Sequence, residues 1–250
     1  MYIVRNINKL QFERIKRKHI ILLYFVIRIL FTLSDAMTRI QNPSDVDIQY
    51  YAGALFPLAC IQTHIDIVGP LFIAFVTAIL VSGELTSGMF KQPLLNGITK
   101  AELTISKVSS IIGIAMICYL FSIICSYVVG FILWGNVMFY KFSYCMGRFC
   151  LLLLPHITLC VFLFLLALYM RNIPSMMCTS LIIFLVNNLL SQFFSKILIK
   201  TDFMYYFYAF SGYNGMQITK STIVNGILLN VVSLAILIVW IKNKMEKLAV

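Results

Sequence analysis

Long apolar segments alternate with short polar ones along the chain. Six segments stay apolar for about 20 residues, the length that an α-helix needs to cross the ~30 Å hydrocarbon core of a bilayer. They are Ile20–Met37, Pro57–Val81, Ile105–Trp134, Phe149–Met170, Ile173–Ile199 and Ile223–Ile241. Because lipid offers no partner to an unpaired backbone group, this pattern predicts an all-α integral membrane protein with six transmembrane helices over residues 20–250.

Residues 1–19 follow a different, amphipathic pattern. On a helical wheel the apolar residues of this segment share one face, namely Ile3, Val4, Ile7, Leu10 and Ile15. The basic residues Arg5, Lys9 and Lys16 lie opposite. This arrangement predicts an N-terminal helix that lies in the membrane interface. The alternative is a basic tail without helical structure that only reflects the excess of Lys and Arg on the cytoplasmic side of membrane proteins.

Composition and charge narrow the class further. Hydrophobic residues make up 61% and charged residues 12% of the 250 positions, against ~45–50% and ~25% in soluble domains. This excludes a soluble enzyme and a disordered chain. The net charge of +11 is concentrated at the ends of apolar segments, which indicates membrane orientation rather than a nucleic-acid partner. With the N-terminus inside, the inner segments carry about twice as many Lys and Arg as the outer ones, so both termini are predicted to be cytoplasmic.

Local catalytic motifs are missing from the sequence. It contains no HExxH and no GxSxG, and its three histidines are too scattered for one local metal motif. The nearest approach to a phosphate-binding loop is Gly83-x4-Gly88, but Met89 and Phe90 follow where Lys and Ser/Thr are required. We therefore expect no catalytic residue, metal or cofactor in this chain. The seven cysteines include no CxxC, and we predict that they are free thiols. Cys145 and Cys150 are the one plausible disulfide pair.

The loop over residues 82–104, between the second and third spans, has an internal structure. Asn96-Gly97 predicts a helix stop, and Thr99-x-x-Glu102 predicts a capping box that begins the next helix. The pattern therefore indicates a short helix, a tight turn and a second helix that enters the membrane. Apolar side chains outside the bilayer favour burial in a groove of a partner protein. The alternative is a plain loop that packs them against the membrane surface.

This loop resembles the first cytoplasmic loop of the type-2 ATP-binding-cassette (ABC) permeases. The residues that carry the resemblance are Gly83-Glu84, Ser87-Gly88, Phe90-Lys91, Leu94-Leu95, Gly97-Ile98-Thr99-Lys100 and Lys107. The chain length, the interfacial helix and the six spans agree with that family. Within it, the chain is most similar to the small permeases of Firmicute peptide exporters, which include lantibiotic-immunity, bacitracin-type and phenol-soluble-modulin systems.

The resemblance implies the permease subunit of an ABC exporter in a bacterial plasma membrane. Two copies of a separate ATPase subunit would bind ATP and Mg²⁺. A second permease chain would complete the transporter, with a homodimer expected and pairing with a sister permease left open. The substrate would be hydrophobic or amphipathic, a peptide such as an antimicrobial or cytolytic peptide, and export would confer resistance to it. The alternatives are an ion-coupled secondary transporter and a stand-alone membrane immunity protein.

The resemblance also assigns roles to residues of the loop. The short helix would be a coupling helix seated in a groove of the ATPase, and its residues would be Glu84, Gly88, Met89, Phe90, Lys91 and Leu94. Among these, Glu84 would hold the end of the second span, Gly88 would allow close approach or a bend, and Met89 and Phe90 would fill the groove. The segment over residues 196–220 would form an outer re-entrant hairpin, with an aromatic belt at the outer leaflet as the alternative.

Polar residues inside the spans are functional candidates because they are costly in lipid. Gln62, His64 and Asp66 fall in the outer third of the second span. They are candidates for a substrate pathway, with packing inside the bundle or a position among the outer headgroups as alternatives. In the ion-coupled alternative, His64 and Asp66 would form the proton site. Arg28 interrupts the first span, and we expect its side chain to extend towards the inner interface.

Overall fold

The computed structural model describes residues 19–41, 53–193, 210 and 219–248, and within these it gives no side-chain description for residues 41, 66, 67 and 188–193. All regular structure in the described residues is helical. The helices are α1 (Ile20–Gln41), α2 (Phe56–Thr63), α3 (Gly69–Thr77), α4 (Gly83–Thr86), α5 (Lys91–Leu95), α6 (Lys100–Trp134), α7 (Phe142–Tyr169), α8 (Ile173–Phe193) and α9 (Lys220–Lys247). A 3₁₀ turn at Gly135–Phe139 lies between α6 and α7.

Five stretches of the described chain are long and apolar enough to cross a membrane. They are Ile20–Ile40, Gly69–Thr86, Lys100–Phe139, Phe142–Tyr169 and Lys220–Lys247. This supports the predicted all-α, multi-pass membrane protein. The helix α8 contributes a shorter apolar stretch, Ile173–Asn187, so six spans and the cytoplasmic termini stay predictions. The predicted interfacial helix over residues 1–19 and the hairpin over residues 196–220 lie almost wholly outside the described residues.

The second span is one helical run that two π-helical turns interrupt. These turns cover His64–Val68, between α2 and α3, and Ala78–Ser82, between α3 and α4. Pro70 follows the first turn, and a proline lacks an N–H and crowds the carbonyl four residues earlier, which disturbs an α-helix at this point. Close packing also requires a glycine at position 69, since a Cβ there would lie 2.7 Å from Cε1 of His64. The turn thus allows the His64 ring to fold against its own helix.

The second span occupies the centre of the bundle. The helix α3 packs against α6, α7 and α8, while α1 packs on α2 and α6, and α9 packs on α7. The outer faces of α1 and α9 expose leucine, isoleucine and valine side chains, as expected for surfaces that meet lipid. The loop between the second and third spans is therefore attached directly to the most buried helix.

Two expectations from the sequence need correction. The helix of the fourth span begins at Phe142 rather than at Phe149. Arg148 lies inside this helix, where it is buried and donates to the Phe210 carbonyl at 3.2 Å. The helix therefore includes a charged residue that the apolar pattern excludes. Arg28 does not extend to the interface. It is buried and its Nη2 donates to the Cys60 carbonyl, because the adjacent α2 offers an acceptor nearer than the interface.

The cysteines agree with the sequence prediction. All seven are free thiols, and only Cys150 and Cys178 are exposed. Cys145 is buried and its Sγ lies 3.8 Å from the Ala54 carbonyl oxygen, so the pair considered with Cys150 does not form.

Candidate functional site

The loop between the second and third spans folds as two short helical pieces that meet at Gly88. The helix α4 ends at Thr86, and α5 begins at Lys91. Gly88 has φ +72°, a left-handed conformation that costs L-residues roughly 1–2 kcal/mol. The chain then folds back, and the Phe90 N–H donates to the Glu84 carbonyl at 3.2 Å. The predicted single helix is thus two pieces, with glycine at the break.

The end of α5 and the start of α6 confirm the predicted stop and capping box. After Leu95 the chain passes through Asn96 to Gly97, which has φ +85°, and the Ile98 N–H donates to the Pro93 carbonyl at 3.1 Å. The Glu102 N–H donates to Thr99 Oγ1 at 3.2 Å, and the Thr99 N–H donates to Glu102 Oε2 at 3.0 Å. Local sequence alone therefore sets where α5 ends and α6 begins.

A buried ion pair joins the loop to the third span. The Nζ of Lys107 lies 2.5 Å from Oε2 of Glu84 and also donates to the Leu80 carbonyl at 2.9 Å. The exposed fractions are 7% for Glu84 and 1% for Lys107. Since a buried charge is costly without its partner, each of these residues requires the other. The C-terminal end of the second span is in this way held to α6.

The apolar side chains of the loop divide into two groups. Phe90 is only 5% exposed and packs within the core of this chain, whereas Met89 is 36% and Leu95 79% exposed. The structure therefore places Phe90 where it cannot reach a partner groove, and Met89 alone of the two expected anchors is accessible. Leu95 was part of the sequence motif but was not among the predicted coupling residues, although its position directly before the Asn96-Gly97 stop was a signal for an exposed helix end.

The remaining loop residues lie around this surface. Lys91 is exposed and Leu94 is half-buried against the core. Thr86 Oγ1 donates to the Arg171 carbonyl in the turn between α7 and α8 at 2.5 Å. Lys100 Nζ donates to the Leu248 carbonyl at 2.9 Å, just beyond α9. The loop, the α7–α8 turn and the end of α9 thus form one end of the bundle.

The second group of candidates, in the predicted outer third of the second span, is placed differently. His64 is buried, and its Nδ1 lies 2.8 Å from the Tyr24 hydroxyl, which also lies 2.8 Å from Ser122 Oγ. The His64 ring stacks on His156 with 5.5 Å between ring centroids. Gln62 is half-buried, and the side chain of Asp66 lies outside the described residues. For His64 the structure matches the alternative of packing inside the bundle.

In the described part of the chain, no group of three or more His, Cys, Asp or Glu side chains is arranged to hold an ion. The buried pair at the loop and the tyrosine–histidine cluster in the bundle are two polar sites between helices in that part.

These features define an all-α, multi-pass membrane protein in which a short helical loop is fastened to the bundle by a buried ion pair. The family model described as "ABC-2 family transporter protein" matches residues 9–187, which is most of the chain, and no curated protein matches it. The chain belongs to the ABC-2 transporter family and is an ABC-2 type permease. Permeases of this family are the transmembrane component of an ABC transporter and lack the ATPase site, which implies a separate ABC ATPase partner.

Proposed function

We propose that this permease is an exporter of hydrophobic or amphipathic substrates, in particular of antimicrobial or cytolytic peptides. It forms a homodimer in a bacterial plasma membrane with both termini in the cytoplasm, and two copies of the ATPase subunit bind ATP and Mg²⁺. The proposed substrate follows the resemblance of the loop to small Firmicute peptide exporters. The family supports the coarser part, an ABC transporter permease.

The loop over residues 82–104 is proposed as the contact with the ATPase. The observation that carries this proposal is the combination of exposed apolar residues at the tip, Met89 and Leu95, with the buried pair of Glu84 and Lys107 behind them. An exposed apolar helix end favours insertion into a groove of a partner protein. Lys91 and Leu94 flank this surface, Gly88 supplies the bend, and Phe90 secures the loop to the bundle.

Force would pass from the ATPase to the membrane through rigid contacts. A push on α5 moves Gly88 and α4, and the helical chain runs on from α4 through the π-helical turn Ala78–Ser82 into the second span. The ion pair of Glu84 with Lys107 moves α6 together with α4, because separating two buried charges is costly. The spans around the central helix then rearrange as a unit, which is the rigid-body change that alternating access requires.

The test is affinity purification from native membranes followed by mass spectrometry. The wild-type chain is expected to bring down a stoichiometric protein that carries GxxxxGK[ST]. The double variant Met89→Asp/Leu95→Asp is expected to lose that protein, because charges at the tip are incompatible with an apolar groove. Asn243→Asp adds a negative charge at the exposed end of α9 and is the matched control that should retain it.

Two results would overturn the proposal. One is a chain that purifies repeatedly without any ATPase, which would favour the stand-alone immunity protein or the ion-coupled carrier. The other is an ATPase that binds the Met89→Asp/Leu95→Asp variant as well as the wild type. Uptake of labelled peptides into inverted vesicles then tests the substrate, and peptide transport without ATP would contradict the exporter mechanism.

A further inference from the structure

A basic cavity lies at the end of the bundle where the loop meets the last helix. Its volume is about 320 Å³, within the ~300–1,000 Å³ that is usual for small-molecule sites. The α4–α5 loop, the start of α6, the α7–α8 turn and the end of α9 all line this cavity. Four distant parts of the chain therefore surround one space.

The charge of the cavity is of one sign. Lys91, Lys100, Arg171 and Lys247 line it, and the described residues of the lining include no acidic side chain. Among the described residues, Lys91, Arg171 and Lys247 form no ion pair with an acidic side chain. The nearby Glu84 is held by Lys107. The cavity therefore has the positive charge that suits an anion.

The floor of the cavity is apolar, which distinguishes it from a site for a free ion. Leu85, Phe90, Leu94, Met245 and Leu248 form this floor. An inorganic anion would be surrounded by water and would gain nothing from such side chains. A headgroup with an attached glycerol backbone would contact the cations and the apolar floor together.

Exposed aromatic residues beside the cavity favour a position in the headgroup layer of a bilayer. Tyr169 and Trp240 lie beside it and are exposed, and such aromatic residues favour the membrane interface. The Lys244 Nζ lies 3.9 Å from the centroid of the Tyr169 ring. We therefore expect the cations of the cavity at the level of the lipid phosphates.

An apolar groove continues from the cavity into the membrane. It measures about 770 Å³, runs between α6, α7 and α9, and shares Lys100 and Met245 with the cavity. Its walls include Ile105, Val108 and Ile238, two of which are exposed on the lipid-facing side. A groove that starts at a cation and continues along exposed isoleucines fits an acyl chain.

We propose that this cavity and groove bind an anionic phospholipid, with the phosphate among Lys91, Arg171 and Lys247 and an acyl chain between α6 and α9. The lipid would link the α4–α5 loop to the end of α9. The consequence for coupling rests on the proposed function, since a lipid that joins these elements would strengthen the transfer of motion from the ATPase. Lipid binding itself does not depend on that function.

The binding test uses the purified permease alone, so that it is independent of any ATPase. Native mass spectrometry would compare the binding of phosphatidylglycerol and phosphatidylcholine to the wild type and to Lys91→Gln/Arg171→Gln/Lys247→Gln. We expect the wild type to prefer phosphatidylglycerol and the triple variant to bind it at least tenfold more weakly, because each cation near the surface contributes roughly fivefold. Lys220→Gln, at the opposite end of α9, is the control and should retain the preference.

Two additions separate the possible causes. The charge-conserving variant Lys91→Arg/Arg171→Lys/Lys247→Arg should keep the preference, which would exclude misfolding as the reason for a loss. An excess of inorganic phosphate should not displace the lipid, because phosphate makes no use of the apolar floor and groove.

Three results would overturn the proposal. The triple variant and the wild type could bind phosphatidylglycerol equally, so that the cavity has no part in the binding. Inorganic phosphate could displace the lipid at equal concentration, which would make the site one for a free anion. The triple variant could keep its lipid preference and lose a co-purifying ATPase, which would assign the cations to acidic side chains of that partner.

Discussion

The Nζ of Lys107 lies 2.5 Å from the Oε2 of Glu84, and both side chains are buried. Glu84 lies where the second span ends, and Lys107 lies two turns inside the third. The pair therefore connects the loop to the bundle where the second span ends. Because the site is shielded from water, the pair is difficult to break without unfolding the local structure.

Removing one member of this pair is expected to destabilise the protein strongly. Lys107→Met removes the cation that pairs with the buried Glu84 carboxylate, and breaking a buried pair costs about 3–5 kcal/mol. The double variant Glu84→Gln/Lys107→Met should recover a large part of that loss. Unfolding can be followed with a maleimide fluorophore, since five of the seven cysteines are buried. Lys242→Gln, on an exposed position of α9, is the control. A double variant no more stable than Lys107→Met would contradict the pairing.

Gly88→Ala is expected to lower stability through backbone strain alone. A Cβ at this position meets no atom within 4 Å, but φ is +72°, so we expect a loss of roughly 1–2 kcal/mol. Gly113→Ala is the matched control, because its Cβ also meets open space and α6 is an ordinary helix there. It should be neutral or stabilise the protein by up to ~1 kcal/mol. Equal effects of the two variants in the same thiol assay would show that the bend at Gly88 is not required.

Phe90→Ala and Met89→Ala are expected to separate stability from partner binding. Phe90 is buried in the core, so its truncation should cost about 3–5 kcal/mol. Met89 is exposed, so Met89→Ala should leave the thermal midpoint unchanged and weaken only the retention of the ATPase. The thiol assay and co-purification measure the two properties on the same preparations. A large loss of stability in Met89→Ala would indicate that this side chain also packs in the bundle.

Tyr24→Phe is expected to destabilise the bundle by removing one hydroxyl. That hydroxyl lies 2.8 Å from His64 Nδ1 and from Ser122 Oγ, and leaving buried polar groups without a partner costs about 1–3 kcal/mol. Tyr169→Phe removes a hydroxyl from an exposed residue and keeps the ring that contacts Lys244, so it should have no comparable effect. Similar thermal midpoints for the two variants would argue against a structural role of the cluster around His64.

The loop shows which part of a site short-range patterns predict. The Asn96-Gly97 stop and the capping box of Thr99 and Glu102 were predicted and confirmed. Both features depend on the backbone conformation of about four consecutive residues, and only a few residue types favour that conformation. A bend at Gly88 was implied by the resemblance, but the division into two helical pieces was not predicted, because a glycine in a short helical pattern fits both a continuous helix and a left-handed turn.

Side chains that act between helices were harder to predict. Glu84 and Lys107 were both noted, but their pairing depends on how the second and third spans pack. Arg28 was expected at the interface and is instead buried against Cys60. In each case the two partners are more than 20 residues apart in the sequence and lie on different helices. Whether their side chains meet depends on how those helices cross, which the local pattern does not show.

The sequence by itself determined the class of protein and the positions of most helices. Long apolar segments must become helices in lipid, since no other structure satisfies their backbone groups, and the loop motif indicated the ABC-2 family that the family model then showed. Only the tertiary structure decided that Phe90 is buried while Leu95 is exposed, and that Lys91, Arg171 and Lys247 surround one cavity. These facts depend on which faces of distant helices meet, and that choice comes from the packing of the whole bundle.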